Sequence, residues 1–69
     1  MPIIDVSLIE GRSAERKATL IRELTDAAER VLGVRREGIR VLLREVPPEH
    51  WGVAGQAIDE RRSDDPDGS

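Results

Sequence analysis

Residues 13–33, SAERKATLIRELTDAAERVLG, have the spacing of a long amphipathic helix. Apolar side chains recur every three or four residues, which aligns them along one helical face. The residues of this face are Leu20, Ile21, Leu24, Ala28, Val31 and Leu32. Ser13 is a favourable cap for the first turn, and Gly33 suits the left-handed conformation that ends many helices. The stretch therefore predicts a helix over residues 14–32.

Two strand-like segments flank this helix. Residues 3–9 read IIDVSLI, and residues 39–46 read IRVLLREV. In each segment every second residue is apolar, as on the buried face of a β-strand. These residues are Ile4, Val6 and Leu8 in the first segment and Ile39, Val41 and Leu43 in the second. Pro47-Pro48 ends the second segment, because proline has no N–H to donate to a neighbouring strand. The order strand, helix, strand predicts an α/β fold: a small β-α-β unit with parallel strands and a right-handed crossover.

The remainder of the chain divides at residue 58. Residues 49–58, EHWGVAGQAI, contain two glycines and predict a short C-terminal hairpin or a loop. From residue 59 the sequence DERRSDDPDGS has only charged and small residues. We therefore predict a folded domain over residues 1–58 and a charged, disordered tail over residues 59–69.

The chain is small for a domain that is stable alone. A domain near this size buries only about 60% of the surface that its unfolded chain exposes. The 69 residues include no cysteine, so no disulfide can compensate, and one histidine cannot form a histidine metal cluster. The core must rest on aliphatic side chains, because Phe and Tyr are absent. Oligomerisation is therefore the expected source of stability.

The charge balance argues against a nucleic-acid partner, since the net charge is -3. Almost all of the 11 basic residues are arginines. Arginine binds carboxylates in bidentate fashion, so this bias fits a carboxylate ligand, but a GC-rich genome would also produce it. The sequence contains no apolar run that could span a membrane and no basic-then-apolar leader. We therefore expect no membrane partner and a cytoplasmic location.

Several residues are candidates for chemistry, although none names a reaction by itself. Pro2 can be a base only if Met1 is removed, because a proline nitrogen within the chain belongs to an amide. Methionine is ordinarily trimmed before a small residue such as proline. Taken singly, Arg12 is typical of a solvated turn, and Arg40 of an edge strand protected against aggregation. Trp51, the only aromatic residue, is also consistent with packing at a subunit contact.

Four sequence patterns, taken together and in order, resemble the 4-oxalocrotonate tautomerase family. They are Pro2 at the start, IEGRS around Arg12, IRVLLRE around Arg40 and EHWGVAG around Trp51. Single elements such as EGRS are weak signals, but all four at family spacing on the expected elements form a specific match. The resemblance runs from Pro2 to about Ala57.

The resemblance implies a hexamer built as a trimer of dimers, with active sites where subunits meet and with neither cofactor nor metal. It gives Pro2 the role of general base. It assigns the distal carboxylate of a dicarboxylate substrate to Arg12, and the 1-carboxylate and 2-oxygen to Arg40 from a neighbouring subunit. Trp51 stands where the family has Phe. Trp51 and Ile9 would exclude water and so strengthen the electrostatic contacts in the site.

The role implied for Pro2 is chemically sound. A free α-amine has a pKa of about 7.7–8.0, and the secondary amine of proline is more basic. An apolar pocket and two guanidinium groups both disfavour the ammonium form. We therefore expect a lowered pKa, close to the pH at which a general base works best.

The function implied is isomerisation of a 2-hydroxy-2,4-dienoate of the 2-hydroxymuconate type to a 2-oxo-3-enoate. A hydratase acting on 3-haloacrylates is an alternative, but it needs a carboxylate near Pro2 that only Glu45 or Glu49 can supply. Both glutamates are otherwise expected to be solvated. A catalytically silent subunit of a mixed hexamer and a small dimeric binding module are further alternatives. His50, whose titration range suits acid–base catalysis, is interpreted as structural or solvated.

Overall fold

The computed structural model describes residues 1–59, and residues 60–69 of the predicted tail lie outside this range. The elements are β1 (Ile3–Ile9), α1 (Ala14–Leu32), the 3-10 turn η1 (Arg36–Gly38), β2 (Arg40–Val46), the 3-10 turn η2 (Pro48–His50), β3 (Gly52–Val53) and β4 (Gln56–Ala57). The strands β1 and β2 pair in parallel, and β3 and β4 form an antiparallel hairpin. The predicted α/β fold, a β-α-β unit followed by a short hairpin, is therefore confirmed.

The helix α1 begins and ends at the predicted residues. The Ser13 hydroxyl oxygen accepts a hydrogen bond from the backbone N–H of Arg16 at 3.1 Å, which satisfies one of the unpaired donors of the first turn. At the other end, Gly33 adopts φ 66° and its N–H donates to the Glu29 carbonyl at 3.0 Å. Glycine takes this left-handed conformation without steric cost. Within residues 1–59, no helix is both long and apolar enough to cross a bilayer.

The second strand begins one residue later than predicted. Ile39 was expected to open the strand, but β2 starts at Arg40. The N–H of Ile39 donates to the Arg36 carbonyl at 3.1 Å, so this residue closes the turn η1 instead of pairing with β1. Ile39 is nevertheless only 7% exposed.

The core of a single chain is very small. Leu8 and Ile39 are the only buried hydrophobic residues among those that the structure describes. The helix is about 28 Å long, whereas each seven-residue strand is about 23 Å long and the sheet is only two strands wide. The end of the predicted apolar face consequently lies open, with Val31 74% and Leu32 57% exposed.

The sheet face that points away from α1 is also uncovered. Ile3 is 64% exposed on this face, and Leu42 is 41% exposed. Beside them the Arg44 guanidinium donates to both oxygens of Asp5 at 3.0–3.2 Å. The hydrogen bonds and the negative charge of Asp5 raise the pKa of Arg44 above its ordinary value. Apolar surface and two open strand edges together favour burial against other chains.

Candidate active site

Pro2 is fixed by the sheet although it lies near the chain terminus. Its carbonyl accepts a hydrogen bond from the backbone N–H of Arg40 at 3.0 Å, immediately before β1 begins. The residue is half-buried, whereas Met1 is 81% exposed. With Met1 attached, the Pro2 nitrogen is an amide. Removal of Met1 would leave a secondary amine that the following strand holds in a fixed place.

Arg40 neighbours Pro2 along the sheet but points to the other face. In the β1–β2 register Arg40 lies opposite Ile3, on the face away from α1. Because side chains alternate along a strand, Pro2 belongs to the helix-facing side, like Ile4. The Arg40 guanidinium instead donates through Nη1 to the Glu37 carbonyl at 2.6 Å. Within one chain the backbones of Arg40 and Pro2 are therefore hydrogen-bonded, but their side chains lie on opposite faces of the sheet.

Arg12 lies at the opposite end of β1 from Pro2. Six steps of about 3.3 Å separate Ile3 from Ile9, so roughly 20 Å of strand lies between the two ends. The Arg12 guanidinium donates through Nη1 to the Ile9 carbonyl at 2.9 Å. It also lines a shallow groove of about 470 Å³ on the first turns of α1. The other lining residues are Glu15, Arg16, Thr19, Leu20 and Glu23.

The predicted apolar wall belongs to the same end of the sheet as Arg12. Ile9 ends β1 opposite Val46, and both are half-buried. Trp51 follows the turn η2, is half-buried, and donates its backbone N–H to the Pro48 carbonyl at 3.2 Å. The Trp51 carbonyl accepts a hydrogen bond from the N–H of Ile58 at 2.7 Å. The predicted site residues thus fall into two groups, Pro2 with the Arg40 backbone and Ile9 with Arg12, at opposite ends of one chain.

The rival candidates lie away from Pro2 within the chain. His50 is exposed at the end of η2, beyond the far end of β2. Glu45 lies on the surface, as expected, but it is paired there. Its side chain is 31% exposed and accepts a hydrogen bond from the Lys17 ammonium at 2.8 Å. Within residues 1–59, no group of three or more metal-ligating side chains could hold a metal ion.

Arg36, an exposed residue, forms an ionic cluster with two acidic side chains of α1 that the sequence analysis did not identify. Its Nη1 donates to Asp26 Oδ1 at 2.7 Å and to Glu29 Oε1 at 3.0 Å. The hydrogen bond to Asp26 and that to Glu29 raise the pKa of Arg36 above its ordinary value. A signal was present, because residues three apart on a helix lie side by side and place both carboxylates on one face.

Comparisons with known proteins agree with this architecture. A sequence model described as "Tautomerase enzyme" matches residues 2–61. A probable tautomerase of Ralstonia nicotianae is 60% identical over 55 residues, which are 80% of this chain and 79% of the relative.

Two solved structures are similar as well. TomN, a 4-oxalocrotonate tautomerase homologue of the tomaymycin biosynthetic pathway, has a TM-score of 0.88 and 47% identity, covering 90% of this chain and 95% of its own. A heterohexamer 4-oxalocrotonate tautomerase from Chloroflexus aurantiacus J-10-fl has a TM-score of 0.84 and 40% identity, covering 87% and 97% respectively. The protein described here is therefore a member of the tautomerase family.

Proposed function

We propose that the protein is a cofactor-independent isomerase of the 4-oxalocrotonate tautomerase type. Its substrate would be a 2-hydroxy-2,4-dienoate such as 2-hydroxymuconate. Family membership supports the general class of reaction. The observation that carries the specific proposal is the placement of Pro2, which is held by a strand hydrogen bond and preceded by one exposed residue.

The proposed reaction moves one proton within the substrate. The Pro2 amine accepts the proton of the 2-hydroxyl group, and the electrons that remain form the C2 carbonyl. The double bonds shift along the chain, and the Pro2 ammonium returns the proton to C5. The product is a 2-oxo-3-enoate, with no net gain or loss of atoms or electrons. Such a base contributes most when its pKa lies near the working pH.

The arginines would hold the substrate and the charge that develops on it. Arg40 binds the 1-carboxylate and the 2-oxygen, where negative charge builds up in the transition state. Arg12 binds the distal carboxylate of a dicarboxylate substrate. Trp51 and Ile9 supply an apolar wall, and the indole adds an N–H donor that phenylalanine lacks.

One chain cannot bring these groups together, so the proposed site forms between copies. Arg12 lies about 20 Å of strand away from Pro2, and Arg40 points to the opposite face of the sheet. Copies that pack on the open sheet face and strand edges would cover Ile3 and Leu42. They would also carry these arginines toward a neighbour's Pro2. The heterohexamer from Chloroflexus aurantiacus is a related example of assembly.

We expect a stable hexamer, a trimer of dimers, at micromolar concentration. The physical reason is that the chain exposes apolar surface on both the sheet and the helix end and buries little in its own core. Sedimentation equilibrium should give about six times the 7.7 kDa mass of one chain. A folded monomer under these conditions would contradict both the assembly and the shared site.

A subunit-mixing experiment tests the function and the sharing together. One variant keeps Met1, which blocks Pro2, and the other is Arg40→Ala with a free Pro2. Each should have little activity on 2-hydroxymuconate alone, while the unaltered chain beginning at Pro2 is active. If the two are unfolded and refolded together in equal amounts, random assembly should restore about a quarter of the sites.

The outcomes of this experiment separate two failures. No turnover by the unaltered chain would contradict the proposed substrate class. Turnover by the unaltered chain without recovery in the mixture would show that Arg40 acts on the Pro2 of its own chain. Separate refolding of each variant, followed by mixing, provides the control for simple dilution.

The hydratase alternative has less support. It requires a carboxylate beside Pro2 to activate water, and Glu45 is held by Lys17 near the far end of β2. Glu49 is exposed in η2, beyond that same end of the strand. Neither therefore reaches Pro2 of its own chain, so a hydratase would need a carboxylate from a neighbouring copy, and the Lys17 contact already occupies Glu45.

A further inference from the structure

The ionic cluster of Asp26, Glu29 and Arg36 joins α1 to the turn that precedes β2. Both carboxylates belong to α1, whereas Arg36 is the first residue of η1. One guanidinium nitrogen of Arg36 contacts both acidic side chains, at 2.7 and 3.0 Å. The three side chains are each a little under half exposed, so solvent weakens every single pair. The cluster is therefore better suited to fix an orientation than to stabilise the whole fold.

The 3-10 turn η1 also orients the Arg40 side chain through a hydrogen bond. The carbonyl that accepts the Arg40 Nη1 hydrogen bond belongs to Glu37, the residue after Arg36. The backbone of η1 is closed on both sides of this carbonyl, by Gly38 N–H to the Arg35 carbonyl and by Ile39 N–H to the Arg36 carbonyl. A displacement of η1 would therefore move the acceptor that orients Arg40.

The hydrogen bond to Glu37 leaves the rest of the Arg40 guanidinium available. Arginine has five N–H donors in a planar fork, and only Nη1 contacts the Glu37 carbonyl. The Nε and Nη2 donors remain for two oxygens of the substrate, such as a 1-carboxylate oxygen and the 2-oxygen. Hydrogen-bond donors stabilise charge that develops in a transition state best when their orientation is already fixed before the reaction.

We propose that Arg36 is a positioning residue: its contacts with Asp26 and Glu29 hold η1 on α1, so that the Glu37 carbonyl directs the Arg40 guanidinium toward the substrate. This inference rests on the proposed function, because it assumes that Arg40 binds the substrate. Arg36 itself touches neither the substrate nor the reacting atoms.

The first test compares three single variants in the assembled protein, assayed on 2-hydroxymuconate. Arg36→Gln should lower kcat about tenfold with little change in KM, because small displacements of a catalytic group cost this much or more. Arg36→Lys, which keeps the charge but not the planar fork, should recover part of the loss. Arg35→Gln removes the same charge from the neighbouring residue, whose 88% exposed side chain has its Glu37 partner at 3.8 Å, and should leave kcat unchanged.

Asp26→Asn distinguishes positioning from a long-range charge effect. Arg36→Gln removes a positive charge and Asp26→Asn a negative one, so a purely electrostatic influence on the site would change kcat in opposite directions. Loss of positioning should lower kcat in both variants. Asp26→Asn also provides a second variant if Arg36→Gln does not fold.

The decisive test is a double-mutant cycle with Arg40→Ala. If Arg36 acts through Arg40, Arg36→Gln should have no further effect on kcat once Arg40 is alanine. A full tenfold loss in that background would overturn the inference, as would wild-type kcat in Arg36→Gln and Asp26→Asn. Wild-type kcat in Arg40→Ala itself would refute the proposed role of Arg40, and with it this inference.

Discussion

A chain that keeps Met1 should assemble normally and have no measurable tautomerase activity. Met1 converts the Pro2 nitrogen from an amine to an amide, which cannot accept the substrate proton. The fold should tolerate the extra residue, because Met1 is exposed and the Pro2 carbonyl keeps its hydrogen bond to Arg40. A chemically synthesised chain with Met1 can be compared with one that starts at Pro2. Intact mass verifies each form, and the ultraviolet absorbance of 2-hydroxymuconate reports turnover.

His50→Ala is the matched control for this experiment, since His50 is the rival candidate for the general base. The residue is exposed at the end of η2, so its replacement should change the rate little. Alkylation of Pro2 by a halogenated substrate analogue should abolish activity in the same way as Met1. If the blocked chain stays fully active and His50→Ala is inactive, the base is His50 and the proposal for Pro2 is wrong.

Arg40→Ala should lower kcat by about 100-fold, the size of effect found when a donor to a developing oxyanion is removed. The reason is that Arg40 would meet charge that is present only in the transition state. Arg12→Ala should instead raise KM for a dicarboxylate, because its contact is similar in the ground and transition states. A substrate with one carboxylate should be nearly insensitive to the Arg12 change. Steady-state kinetics on the two substrates measures both effects.

The contrast between the two variants is the informative result. Arg35→Ala is a suitable control, since the Arg35 side chain is largely exposed and its ion pair with Glu37 is long, at 3.8 Å. Small and equal effects of Arg12→Ala and Arg40→Ala, similar to that of the control, would contradict carboxylate binding by these arginines. Sedimentation of each variant ensures that a lost assembly is not mistaken for a lost contact.

The local signals in the sequence were sufficient for β1, for α1 and for the end of β2, but not for the 3-10 turns η1 and η2. Ser13 and Gly33 are the helix caps that their residue types predicted, because each satisfies backbone groups that the helix leaves unpaired. Pro47-Pro48 lies just past the end of β2, as expected from the missing N–H of proline. The start of β2 was misplaced at Ile39, because this residue continues the apolar–polar alternation of the strand. In the structure Ile39 instead caps the 3-10 turn η1, for which the sequence has no strong signal.

The arrangement of the site was only partly predictable. The separation of Pro2 from Arg12 follows from strand length, since seven residues between them form β1. The ion pairs of Arg36 with Asp26 and Glu29 could not be predicted from element lengths. They depend on the path of the chain between the end of α1 and η1. The roles of Pro2, Arg12, Arg40, Trp51 and Ile9 come from family resemblance and stay predictions until the variants are measured.

Trp51 also makes the protein its own spectroscopic reporter. The chain has one Trp, no Tyr and no Phe, so all of its intrinsic fluorescence originates in a single indole. That indole is half-buried beside η2, at the end of the sheet to which Arg12 belongs. A change in emission wavelength or intensity can therefore be assigned to one location without labelling and without a background from other aromatic rings. Titrations with dicarboxylates and dilution series that dissociate the subunits can both be followed through this signal.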